Sequence, residues 1–351
     1  MTKYPDYISE KRRPITSPNS LVENGQAIFG TFDKVLSDIN LLSCIKPAGN
    51  LLPHSLNKVK LTIWEVVEVM FDEGMLLAAV YNLGIAGFSL FVFFDWRTKK
   101  IKKWINITRE KKAVVAPNLI DSVSELYTKK SALVFNNEFQ NGRCKIKGNS
   151  LNKKSGKIEM DIEIDSISPP SIVSIPFGPN KPLYSHKEFF TVKGYLQLGD
   201  ERLEAKASTT AIIDDHKGYY PFRMHYDWLT TMGKTIIDGE EKYLAFNLTR
   251  NQSTNEDDYN ENILWLGGWS CPLPPVIFVK AKDKWIIKDK YDTVNLEFIP
   301  EGDFKIQIHP LIIDIDYTAP FGRIKGYVKD INGKKYDIDM NGMGEDKSTR
   351  M

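Results

Sequence analysis

Val192-Lys193-Gly194-Tyr195-Leu196, a turn at Gly199-Asp200 and the alternating run Glu201 to Ala207 read as a β-hairpin. The chain writes it again. Ile324-Lys325-Gly326-Tyr327-Val328 is followed by a turn at Asn332-Gly333 and the alternating run Lys335 to Met340. Each copy then reaches an acidic pair and a lysine: Asp214-Asp215-His216-Lys217 after the first, Glu345-Asp346-Lys347 after the second. Matching turn chemistry and matching downstream charge imply two similar β-rich halves.

Working outward, alternation recurs at Leu61 to Val69, Lys157 to Ile164, Glu188 to Leu198, Phe222 to Trp228, Lys284 to Lys288, Val294 to Phe298 and Lys305 to His309. Short spacers rich in Gly, Pro, Asn and Asp separate these runs. Met75 to Phe94 is apolar enough to pass for a membrane helix, yet Asn82, Gly84 and Gly87 interrupt it. A turn at Asn82 to Ala86 splits it into two strands, Met75 to Tyr81 and Gly87 to Phe94, with apolar residues on both faces. Gln26 to Leu36 and Ala116 to Tyr127 are ambiguous between helix and strand. Glu23-Asn24-Gly25-Gln26 reads as a turn, and Asn251 to Asn262 as an exposed polar loop. The expected architecture is all-β: two tandem antiparallel β-barrels, or highly curved sandwiches, with few short helices. The expected boundaries are an N-terminal arm at 1–18, a first domain at 19–215 and a second at 216–351, with the seam near Asp215 to Pro221.

Composition narrows the classes. A chain of 351 residues suits two domains, and its 42% hydrophobic and 26% charged residues are those of an ordinary globular protein. Lysine and arginine exceed aspartate and glutamate by 47 − 45 = 2, so no strong field calls for nucleic acid or an anionic membrane. No stable membrane insertion is expected. Cys44, Cys144 and Cys271 are widely spaced and odd in number, which points to a reducing cytoplasm and to no thiolate metal motif. The five histidines, His54, His186, His216, His225 and His309, lack metal-ligand spacing. No phosphate-cradling glycine loop and no Gly-x-Ser-x-Gly elbow occur, so no cofactor and no metal are expected.

Ionisable and aromatic groups concentrate in Ala211 to Trp228, AIIDDHKGYYPFRMHYDW. From Phe222 onward, strand parity puts Phe222, Met224, Tyr226 and Trp228 on one face and Arg223, His225 and Asp227 on the other. Asp214 and Asp215, being adjacent, point to opposite faces if they lie on a strand, which argues against a proton-sharing dyad. Two readings stand side by side. One is a charged turn at a domain junction; the other is a ligand site, with Asp215, Asp214 and Asp227 as candidate catalytic acids. His216, Lys217, Tyr219, Tyr220, Arg223, His225 and Trp228 are then candidate ligand-binding residues.

Several of these stretches resemble a known family. SLVENGQAIFGTFDKVLSDINLL (Ser20 to Leu42), PLYSHKEFFTVKGYLQLGDERL (Pro182 to Leu203), DDHKGYYPFRMHYDW (Asp214 to Trp228), FNLT…ENILW…LPPVIF (Phe246 to Phe278) and FGRIKGYV…GMGED (Phe321 to Asp346) are similar to the bacterial domain-of-unknown-function 2804 family. More distantly the chain resembles the carotenoid-hydratase and tocopherol-cyclase superfamily. That resemblance implies two tandem lipocalin-like barrels with an apolar small-molecule cavity. The hydratases carry an aspartate followed by Arg or His, Glu and Trp at this segment, whereas Asp215-His216-Lys217-Gly218 lacks the Glu and Trp.

Three functions remain open from sequence: a barrel that binds an apolar small molecule such as a lipid or isoprenoid, an enzyme that hydrates, cyclises or isomerises such a molecule by acid catalysis, and a structural protein with filled barrels. The enzyme requires a carboxylic acid kept protonated by desolvation. Tyr219, Tyr220 and Trp228 would face a developing carbocation.

Overall fold

The structure is a computed structural model that describes residues 7, 12–47, 49, 53–309 and 314–350. Strands make up 63% of it and helices 5%, so the all-β expectation holds. Contacts divide the chain into two compact units, Pro14–Tyr220 on one side and Met1–Arg13 with Pro221–Met351 on the other.

The Pro14–Tyr220 unit is a nearly closed antiparallel barrel of eleven strands. Its ladder runs from Lys100–Thr108 through Gly87–Asp95, Gly74–Asn82 and Leu61–Met70 to Thr210–Tyr219 and Pro182–Leu198. From there it continues through Gly156–Ser166, Arg143–Asn152, Ser131–Glu138 and Ser122–Tyr127 to Ala113–Val114. Two meanders are thus joined by the Thr210–Tyr219 strand, which lies between Leu61–Met70 and Pro182–Leu198. Side chains tie each edge strand to the other half of the ladder: Trp104 Nε1 donates to the Gly156 carbonyl at 2.8 Å, and Asn82 Nδ2 to the Ala113 carbonyl at 2.9 Å. The apolar stretch is two strands, Gly74–Asn82 and Gly87–Asp95, both buried on both faces along most of their length. Alternate residues Leu76, Ala78, Val80, Phe91 and Phe93 join Leu133, Phe135 and Ile146 in the barrel core. Among the described residues no helix is long and apolar enough to cross a membrane.

One end of this barrel is covered by residues 20–44. Leu21, Phe32, Leu36 and Leu41 pack against Tyr184 and Tyr219, and Val35 touches both this cluster and the barrel core. The segment holds no helix longer than one turn; its strands are Val22–Glu23, Gln26–Ala27 and Gly30–Phe32. Asn24 and Gly25, at φ 50° and 76°, make the two-residue turn between the first two. The other ambiguous stretch likewise holds a strand, Ser122–Tyr127.

The second unit is a nine-stranded antiparallel half-barrel. Its order is Trp269–Pro272, Ile263–Leu266, Glu240–Arg250, Arg223–Ile237, Lys335–Arg350, Asp314–Lys329, Val294–Ile308, Trp285–Lys288, Ile277–Lys280. Its concave face buries Leu229, Phe246, Trp285, Phe298, Ile324 and Ile338.

The repeated hairpin sits at corresponding places in the two units. Gly194 and Gly326 have φ of 107° and 129°, and a Cβ on either would lie 2.1 Å from the Asp161 carbonyl oxygen or 2.2 Å from that of Asn295. Only glycine lets the neighbouring strand approach this closely. The turns differ. Leu198 pairs Glu201 across a two-residue loop, but Lys329 pairs Lys335 across five residues held by Asp330. The first return strand also stops at Glu204 and resumes at Thr210, whereas the second runs unbroken from Lys335 to Arg350.

Two sequence readings differ from the structure. The Asp214 to Lys217 segment is the middle of the Thr210–Tyr219 strand, not a turn, because both its faces find buried partners. The strand belongs whole to the Pro14–Tyr220 unit. Asn251 to Asn262 is not simply an exposed loop. Asn260, Glu261 and Asn262 are buried around the guanidinium of Arg12, which donates to Asn260 Oδ1 at 2.5 Å and to the Asn262 carbonyl at 2.6 Å. Arg12 belongs to the expected N-terminal arm, and its burial ties that segment to the half-barrel.

Candidate active site

The strand pairing sets out the site in rows. On the inward face of the barrel, Asp215 stands opposite Glu65 on one neighbouring strand and His186 on the other. The next row toward the covered end is Ile63, Lys217 and Tyr184; the row toward the core is Val67, Ile213 and Glu188. A period of two puts all of these on the face that carries Val67, Val69, Ile213 and Phe190 of the core. Glu65, His186, Tyr184 and Asp215 are each 0% exposed.

Glu65 reaches the opposite wall. Its Oε2 accepts from Ser124 Oγ and, at 3.2 Å, from Asn137 Nδ2, whose amide oxygen lies 3.2 Å from the Cys144 thiol. Ser124 is itself fixed, because its Oγ accepts from the Ala116 amide at 2.8 Å. Burial, and then the negative charge of Asp215, push the Glu65 carboxyl up to about 8. Lys217, Ser124 and Asn137 pull the other way and do not prevail. Asp215 itself is held by both its oxygens against the Lys217 ammonium. His186 Nε2 lies 3.1 Å from Glu188 Oε2, and Phe139 meets the imidazole edge-on at 5.3 Å.

Three polar atoms on this wall have no protein hydrogen-bond partner: Glu65 Oε1, Tyr184 OH and His186 Nδ1. Native interiors pair almost all such atoms, and these three lie on the two strands that flank Thr210–Tyr219. Burial, with Asp215 nearby, also holds the Tyr184 phenol well above its ordinary value, so it stays a neutral donor.

The other face of the same strand is a separate cluster. Asp214 lies 3.0 Å from His216 Nε2 and 2.5 Å from Lys187 Nζ. Burial would raise this carboxyl, yet His216 and Lys187 hold it well below the usual range. Trp64 stacks on His216 at 4.8 Å and on Tyr220 at 5.6 Å, and the Tyr220 hydroxyl is 3.4 Å from His216 Nδ1.

In the half-barrel, Asp227 is buried and accepts from the Lys280 ammonium, which also reaches Asp346 at 2.6 Å. His225 Nε2 is 3.2 Å from Asp227. His225, Asp227 and Asp346 have the grouping of a metal site, but the Lys280 ammonium already bridges the two acids. Asp346 thus answers to Asp215: in each copy the second acid of the pair faces inward and meets an ammonium, Lys217 in one and Lys280 in the other.

A model of the family Domain of unknown function (DUF2804) matches residues 12–351. The chain belongs to that family. Among solved structures it is similar to kievitone hydratase from Nectria haematococca, at 10% identity and a TM-score of 0.47, covering 84% of this chain and 90% of that one. It is also similar to CghA, at 9% identity and a TM-score of 0.46, covering 99% and 97%. CghA with Sch210972 gives 8%, 0.44, 95% and 96%. No curated protein matches the sequence.

The residues singled out from sequence therefore fall into four places. Asp215 and Lys217 line the inside of the barrel; Asp214, His216 and Tyr220 line its outer face; Asp227 and His225 sit in the half-barrel with Lys280. Tyr219 is part of the covered end, where its hydroxyl donates to the Leu41 carbonyl at 3.2 Å. Trp228 donates to Asn247 Oδ1 at 2.5 Å, on the face opposite Asp227. Arg223 is exposed at the start of its strand. Sequence reading missed Glu65, Tyr184, His186, Ser124 and Asn137. One signal was available: Glu65 and Glu68 are the only acids in the strand Leu61–Met70, LTIWEVVEVM, which is otherwise apolar save for Thr62.

Proposed function

We propose that this protein binds a small, largely apolar molecule against the Glu65 wall of the first barrel and transfers a proton to it. The observation that carries this reading is Glu65. It is an uncharged carboxylic acid at neutral pH, fixed through Oε2 and with Oε1 unpartnered. A general acid works best with a pKa near the working pH, and burial in an apolar barrel supplies that here. Glu65 takes the role that sequence reading gave to Asp215, which serves instead as the anion that neutralises Lys217 and keeps Glu65 protonated.

The chemistry is proton addition and return. Glu65 gives its proton to an alkene carbon, whose π electrons form the new bond. The resulting cation is captured by water or by a second alkene, or loses a neighbouring proton, and a proton returns to the carboxylate. Hydration, cyclisation and isomerisation are the three outcomes. A filled barrel is favoured in the middle of the core, where Phe91, Phe93, Trp104 and Phe135 crowd together; the binding end is the one beneath residues 20–44.

The protonated carboxyl is tested without any substrate. Infrared difference spectra of the wild-type chain against Glu65→Gln should contain a protonated-carboxyl band at neutral pH that disappears near pH 8. Its absence at neutral pH sinks the acid role.

A further inference from the structure

Resting on that binding role, we infer that the ligand meets the Glu65 wall with an uncharged oxygen, as a ketone, enone or alcohol, and that this wall rejects carboxylate lipids. The groups facing Glu65 decide it. From the Thr210–Tyr219 strand come Asp215 and Lys217, bound to each other. Pro182–Leu198 adds His186 and Glu188, also paired, and Tyr184, whose ring lies 6.0 Å from the Lys217 ammonium. The far wall brings Ser124, Asn137 and the Cys144 thiol.

Count the charges with Glu65 protonated. Asp215 and Glu188 contribute two negative charges and Lys217 one positive. Even a proton on His186 only brings the sum to zero. No surplus positive charge awaits an anion, and both cationic side chains already have carboxylate partners. A carboxylate placed here would be buried without a free counter-ion, the costliest kind of group to desolvate.

The unpartnered atoms fit a neutral oxygen instead. Glu65 Oε1 and Tyr184 OH are donors, and His186 Nδ1 donates or accepts according to its tautomer. A carbonyl accepts such bonds through its two lone pairs, and a hydroxyl both accepts and donates. Apolar surface beside them, from Ile63, Val67, Phe139 and Phe190, suits the hydrocarbon part.

The test uses three ligands of equal chain length, decanol, methyl octyl ketone and decanoate, competing with an anilinonaphthalene dye for the full-length chain at neutral pH. The ketone and the alcohol should compete at least tenfold more strongly than decanoate. As pH rises through about 8, Glu65 ionises, and ketone affinity should fall in the wild type but not in Glu65→Gln, which keeps a donor and does not titrate. Decanoate binding as well as or better than the neutral pair overturns the inference and leaves the binding role standing. So does a ketone affinity in the wild type that ignores pH. If none of the three displaces the dye, the binding role fails and the inference with it.

Discussion

Replacing Glu65 with glutamine should change how stability depends on pH, and the structure sets the size. An ordinary glutamate titrates at 4.5, and in the folded barrel Glu65 is pushed up to about 8 by burial and by Asp215. Between those values the folded chain holds a proton that the unfolded chain has released. Rising pH therefore favours unfolding there. The protonated carboxyl's contribution is complete below about pH 4.5, drains away up to about pH 8 and is absent above. At about 1.4 kcal/mol per decade, the span corresponds to about 5 kcal/mol. Glutamine keeps the size and can still accept from Ser124 and Asn137, but has no proton to lose. The assay is urea unfolding of both proteins from about pH 4 to about pH 9, followed by the fluorescence of tryptophans such as Trp104 inside the barrel. Titrations away from the Glu65, Asp215 and Lys217 cluster are common to both proteins and cancel in the difference. Relative to Glu65→Gln, the wild type should lose several kcal/mol across that window and then level off. Difference curves flat to within about 1 kcal/mol would refute the raised carboxyl.

Two further outcomes follow from the same geometry. Asp215→Asn leaves Lys217 beside Glu65, which then ionises and takes over as counter-ion, so the loss should be only about 1–2 kcal/mol. Combining it with Glu65→Gln strands a buried ammonium and should cost about 3–5 kcal/mol, a coupling readable in a double-mutant cycle by denaturant unfolding. Gly194→Ala and Gly326→Ala each force a Cβ to within 2.1 or 2.2 Å of a carbonyl oxygen at positive φ. Each should lose at least about 2 kcal/mol in thermal or denaturant unfolding.

The fold was legible because its signals are local. Turn residues at Gly199-Asp200 and Asn332-Gly333, the break after Asn82 and the repeated Lys-Gly-Tyr all act within a few positions, and each marks a strand end or a close strand approach in the structure. What sequence could not supply is which strands neighbour each other. Thr210–Tyr219 lies between a strand that ended some 140 positions earlier and its own hairpin partner. That pairing turns Asp214 to Lys217 from an apparent surface turn into a two-faced strand. The Asn251 to Asn262 stretch misled for the same reason: its polar side chains read as solvated until Arg12, from the far end of the chain, is placed among them.

The site shows where such reading stops, and why. Parity on one strand correctly sends Asp214 and Asp215 to opposite faces, but it is silent about which of them meets a neutral acid. Glu65 is raised by its burial and by Asp215 directly across from it, and Lys217, Ser124 and Asn137 oppose that rise without cancelling it. None of those four lies within 50 residues of Glu65. A carboxyl's pKa is set by its surroundings rather than by its own chemistry, so the residue that matters here is ordinary in sequence. If Glu65 is the acid, as proposed, the Asp215-His216-Lys217-Gly218 segment need not supply one, because the proton is held one strand away.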